Sequence, residues 1–89
     1  MRAVITVVGK DTVGILAKVS ALCAEKGANI IDVTQTVMQD LFCMIMLCEM
    51  DQLNDRFSVF VDLAEKLGEE NNLKIHVMHE DIFHSMHRI

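Results

Sequence analysis

The order in which the apolar residues change period constrains this chain more than any other feature. Ala3 to Val8 is a run rich in β-branched residues that stops at Gly9, the pattern of a buried strand. The spacing then becomes helical. Ile15, Leu16, Val19, Leu22 and Cys23 repeat at three and four residues, with Asp11 or Thr12 placed to cap the helix start and Gly27 to stop it. From Ile30 to Met38 the chain alternates, with Ile31, Val33 and Val37 on one face and Asp32, Thr34 and Thr36 on the other, as in a half-exposed or edge strand. Gln39-Asp40 is a turn into Phe42–Met50, a continuous apolar strand expected at the centre of a sheet. Phe57, Phe60, Val61, Ala64, Leu67 and Gly68 form a second helical stripe, with Asp62, Glu65, Lys66, Glu69 and Glu70 outside it and Asn71-Asn72 at its end. Leu73, Ile75 and Val77 alternate with Lys74, His76 and Met78 in a last strand, and a tail from Asp81 sets Ile82, Phe83, Met86 and Ile89 on one helical side.

This β-α-β-β-α-β order, with right-handed crossovers, predicts an α+β ferredoxin-like sandwich. It has an antiparallel four-stranded sheet, two helices on one face and a short C-terminal helix. No linker or low-complexity tract interrupts it, so residues 1–89 read as a single domain with 81–89 as its tail helix. A chain this short buries only about 60–65% of its unfolded surface, which leaves it marginal alone. With 52% apolar residues, self-association into a homodimer or higher homo-oligomer is the expected remedy.

Disulfides are not that remedy. Cys23, Cys43 and Cys48 are odd in number, lack CxxC spacing and sit in apolar runs, which suggests reduced thiols and a cytoplasmic protein. Cys43 and Cys48, five apart on one strand, would point to opposite faces roughly 16 Å apart. No signal peptide is expected, since Met1-Arg2 runs directly into a strand, and the apolar run Leu41–Cys48 is far short of the ~20 residues that span a bilayer. A net charge of −5, with neither tryptophan nor tyrosine, disfavours nucleic acid for want of both attraction and stacking groups.

The turn VVGKDTVGILAKVS, residues 7–20, carries the functional signal. It is no P-loop, because Lys10 precedes Gly14 instead of following a glycine at the helix start, and a dinucleotide fingerprint would need a third glycine. Free amides at a helix start attract a carboxylate, while Asp11 would repel a phosphate but pair with an ammonium. Together these features suit a zwitterion. The plainer roles are an N-cap for Asp11, close helix–sheet approach for Gly14, and a C-cap or left-handed residue for Asn29.

Gly9 to Gly14 and the Gly27-Ala-Asn-Ile30 stretch, on this element order, resemble the ACT domain from Arg2 to His79. The closing Glu80-Asp81-Ile82-Phe83 and Met86-His87-Arg88-Ile89, with the opening MRAVITVVGKDTVGI, resemble a family of stand-alone bacterial ACT-domain proteins. The resemblance implies a non-catalytic regulatory module that senses an amino acid at a subunit interface, where the first strand–helix loop of one subunit faces the second-strand region of its neighbour. By motif it assigns Asp11, Thr12, Gly14 and Asn29 to the ligand. Val13 stands where many ligand-binding members have proline. Any output passes to an unidentified protein partner, and a ligand-free interaction module is the alternative.

Other chemistry is less well supplied. His84 and His87 are three apart on the tail and His76 and His79 lie on the last strand, but they form no closed ligand set, and neither a metal nor another cofactor is expected. No serine or cysteine has a base in its sequence context, so no catalytic residue is assigned. The alternating Met44, Met46 and Met50 read as core or dimer surface.

Overall fold

The computed structural model describes residues 1–10 and 13–86. Its elements are β1 (Arg2–Lys10), α1 (Ile15–Lys26), β2 (Asn29–Met38), β3 (Leu41–Glu49), α2 (Phe57–Glu70), β4 (Leu73–His79) and α3 (Glu80–Met86). The strands pair antiparallel in the order β2-β3-β1-β4, which is the ferredoxin-like arrangement expected from the sequence. The two strands with continuous apolar runs, β1 and β3, occupy the centre, where both faces are covered at least in part.

The register explains the core. Ala3, Ile5 and Val7 stand opposite Cys48, Met46 and Met44, and all six are buried. Ile15, Val19 and Cys23 of α1 and Phe60 and Ala64 of α2 close over them. The methionines of β3 are therefore core, where an unbranched side chain fills an uneven space between helix and sheet. Cys23 and Cys48 are both fully buried free thiols. The Cys23 sulfur beside it, together with burial, pushes the Cys48 thiol up, away from reactive thiolate. Cys43 points to the opposite face of β3 from Cys48, as their spacing requires.

Gly27 ends α1 as expected, with φ 83°, and Ala28 donates its N–H to the Cys23 carbonyl at 2.8 Å. A Cβ at Gly27 would lie 2.4 Å from the Gln52 carbonyl oxygen, so the position demands glycine for space as well as angle. Asn71 and Asn72 close α2: Asn71 Nδ2 donates to the Leu67 carbonyl at 2.8 Å and Asn72 adopts φ 57°.

Two expectations fail for local reasons. Ile31 was expected on the core face of β2, but Ile30 stands opposite Cys48 and Asp32 opposite Leu47, leaving Ile31 as an extra residue in a β-bulge. The bulge resets the alternation, so Ile30 and Val33 pack on the core and Ile31 is 48% exposed. Asn29 takes no left-handed conformation, because Gly27 already ends the helix and Asn29 is the first residue of β2, paired with Glu49.

The tail helix returns over the outer face of its own sheet. Arg2 Nε donates to Glu80 Oε1 at 3.1 Å and Arg2 Nη2 donates to Glu80 Oε2, tying the start of α3 to β1. The Arg2 guanidinium holds the Glu80 carboxyl below its ordinary range. Phe83 and Met86 face the sheet, although no residue of α3 is buried. Ile89, expected on the same stripe, lies outside the described residues.

Candidate ligand site

The turn after β1 puts an uncapped glycine at the mouth of α1. Gly14 is the N-cap, with φ 79° and ψ 15°, and its carbonyl accepts the Lys18 N–H at 3.0 Å. The expected cap, Asp11 or Thr12, does not hold that position, since the helix begins at Ile15, too late for either to be the N-cap; the two residues themselves lie outside the described ones. Gly14 supplies no side-chain oxygen, so the N-cap leaves the first-turn amides without the partner that Ser, Thr, Asp or Asn would give. Close approach to the sheet is not the reason for glycine here. A Cβ at Gly14 would meet nothing within 4 Å among the described residues, and it is the backbone angle that asks for glycine.

This end of the molecule has an apolar lip that the sequence reading passed over. Val13 is 91% exposed just before the glycine, and Leu16 follows it. The β2–β3 hairpin tip is at the same end, because Lys10 pairs with Leu41 and Leu41 with Met38. Val37 and Met38 are exposed there as well. The adjacent apolar pair Val37-Met38, directly before a polar turn, was the signal available in the sequence. Lys10 Nζ reaches Asp40 Oδ2 at 3.9 Å, an exposed pair worth little in energy but marking how near the two loops lie.

Asn29 is at the other end. It stands opposite Glu49, and Glu49 opposite Arg2. The twelve residues of α1 separate it from Gly14 by about 18 Å. Within one chain the structure does not bring Gly14 and Asn29 together.

The histidines are dispersed. His76 points to the outer face opposite Thr6, whereas His79 falls on the other parity and its Nδ1 accepts the Asp81 N–H at 3.1 Å. His84 Nε2 lies 3.7 Å from Glu80 Oε2, and His87 is outside the described residues. Among the described residues no three His, Cys, Asp or Glu side chains converge on a metal-sized point.

The ACT-domain family model matches residues 2–78, nearly the whole sheet and both covering helices. The chain belongs to the ACT-domain family. This ACT domain is 51% identical over 88 residues to a UPF0237 protein of the archaeon Methanococcus maripaludis, covering 99% of this chain and 98% of that one. It is 49% identical over 90 residues to a UPF0237 protein of the bacterium Listeria monocytogenes, covering both chains fully. Among solved structures it resembles an ACT domain protein from Streptococcus pneumoniae, with 41% identity, a TM-score of 0.81 and 93% of each chain covered. The expected bacterial family thus extends to archaea. The match runs over nearly the whole length of this chain and of each of these three. No helix among the described residues is long and apolar enough to cross a membrane.

Proposed function

We propose that this ACT domain is a non-catalytic regulatory protein that binds an amino acid between two copies of itself. The observation that carries the reading is Gly14: a left-handed N-cap without a side chain at the mouth of α1, where an added Cβ would meet no described residue within 4 Å. The amides of a helix start suit the ligand's carboxylate. Asp11 would take the ammonium, with Thr12 beside it as a hydroxyl partner. Asn29 joins the site only from a second copy. Antiparallel twofold pairing of β2 with a second β2 would carry the Asn29 end of one chain to the Gly14 end of the other. β2 supports such pairing: it is an edge strand of ten residues without proline or lysine.

A thermal-shift screen of the twenty common amino acids tests this reading. At least one should raise the melting temperature in a concentration-dependent way, and Asp11→Ala should abolish that rise. Silence from all twenty defeats it. It would favour the second reading, a ligand-free interaction module, for which the 91% exposure of Val13 is the specific support.

A further inference from the structure

The outer face of the sheet, opposite α1 and α2, carries a groove of about 340 Å³ between the strands and α3. Val8, Cys43 and Ile45 form its floor, and Met78, Phe83 and Met86 its wall. The volume falls in the range of small-molecule pockets, about 300–1,000 Å³. Its polar character is confined to one side. Thr6 and His76, which line it, stand directly opposite each other on β1 and β4, and Lys74, just outside the lining and two residues along the same face of β4, stands opposite Val8. No acidic side chain is found among the described residues lining the groove.

Beyond the floor the face changes character. Asp32, Thr34 and Thr36 of β2 stand opposite Leu47, Ile45 and Cys43 and are exposed. The apolar area is therefore bounded by a polar row on one side and by donors on the other. A second copy laid across this face would have to cover that polar row; a small molecule would not. We infer that the groove binds a compact monocarboxylate with an aromatic or branched aliphatic body. The body lies against Val8, Ile45, Met78 and Phe83, and the carboxylate meets Thr6, His76 and Lys74. The site is on the opposite side of the sheet from α1 and does not depend on the amino-acid reading.

Cys43 provides the test. It is half-buried in the groove, whereas Cys23 and Cys48 are fully buried, so alkylation of the folded protein reports on this one thiol. The probes are 4-phenylbutyrate and 4-phenylbutylamine, which share a body and differ in the sign of the head group. Iodoacetamide labelling at pH 7 is followed by mass spectrometry. At about ten times its dissociation constant the acid should slow labelling about tenfold, by simple mass action. The amine should protect less, and His76→Leu, at an exposed position, should narrow the gap between the two. No protection by either probe up to its solubility limit overturns the inference, as does equal protection by both. Protection that rises with protein concentration alone would assign the groove to a second copy and also overturn it.

Discussion

Gly14 and Gly27 have nearly the same backbone angle, φ 79° and 83°, but opposite surroundings. Alanine at either position bears the left-handed strain of about 1–2 kcal/mol. At Gly27 the added methyl also meets the Gln52 carbonyl at 2.4 Å, while at Gly14 it meets none of the described residues within 4 Å. Urea unfolding should show Gly14→Ala losing about 1 kcal/mol and Gly27→Ala clearly more. Gln39 makes the reverse case. It takes φ 56° in the two-residue β2–β3 hairpin, where glycine is preferred, so Gln39→Gly should stabilise the chain by about 1 kcal/mol in the same measurement. Gly27 was legible in the sequence as a helix stop. The angle at Gly14 was not, because a glycine near a helix start serves equally as a cap, a hinge or a point of close packing.

At the scale of elements, α2 and α3 are held by different means. α2 buries Phe60 almost completely against the sheet, and Phe60→Ala should cost about 3–5 kcal/mol in chemical unfolding. α3 buries nothing fully and depends on Phe83, Met86 and the Arg2–Glu80 pair. The Glu80 carboxyl titrates below its ordinary 4.5 in the folded chain, so its contribution is present in full above that value. It is lost as the pH falls through the lower folded value. Hydrogen exchange should therefore show α3 amides losing protection below about pH 4.5 while α2 amides keep theirs, and Glu80→Gln should give the same loosening at pH 7. The helical stripe of α2 could be read directly from its spacing. For α3 the stripe pointed to the open sheet face, but spacing alone could not say whether that face was its own or a partner's. Phe83 and Met86 lie against the chain's own sheet.

For the molecule as a whole, Val13, Ile31, Val37 and Met38 are exposed on β2 or at the Gly14 end, and Ile82 and Met86 are exposed on α3. If copies associate through the β2 edge, Ile31→Lys places a charge on that edge. Sedimentation velocity at micromolar concentration should then show the wild type as a dimer or larger and the variant shifted towards monomer. A wild type that sediments as a monomer removes the shared amino-acid site, because Asn29 and Gly14 lie at opposite ends of one chain.

The sequence by itself determined the element order, the central position of β1 and β3 and the core stripe of α2, because periodicity records which side of each element is dry. It also placed the chain in its family through short motifs at fixed spacing. Only the tertiary structure decided that Ile30 and not Ile31 packs inward, since a single unpaired residue shifts the alternation and leaves no mark in the local pattern. It alone put Cys23 beside Cys48, separated Gly14 from Asn29 by the length of a helix, and folded the tail back to wall a groove. These are distances between residues far apart in the chain, and they arise from how strands pair and helices pack, which local spacing does not encode.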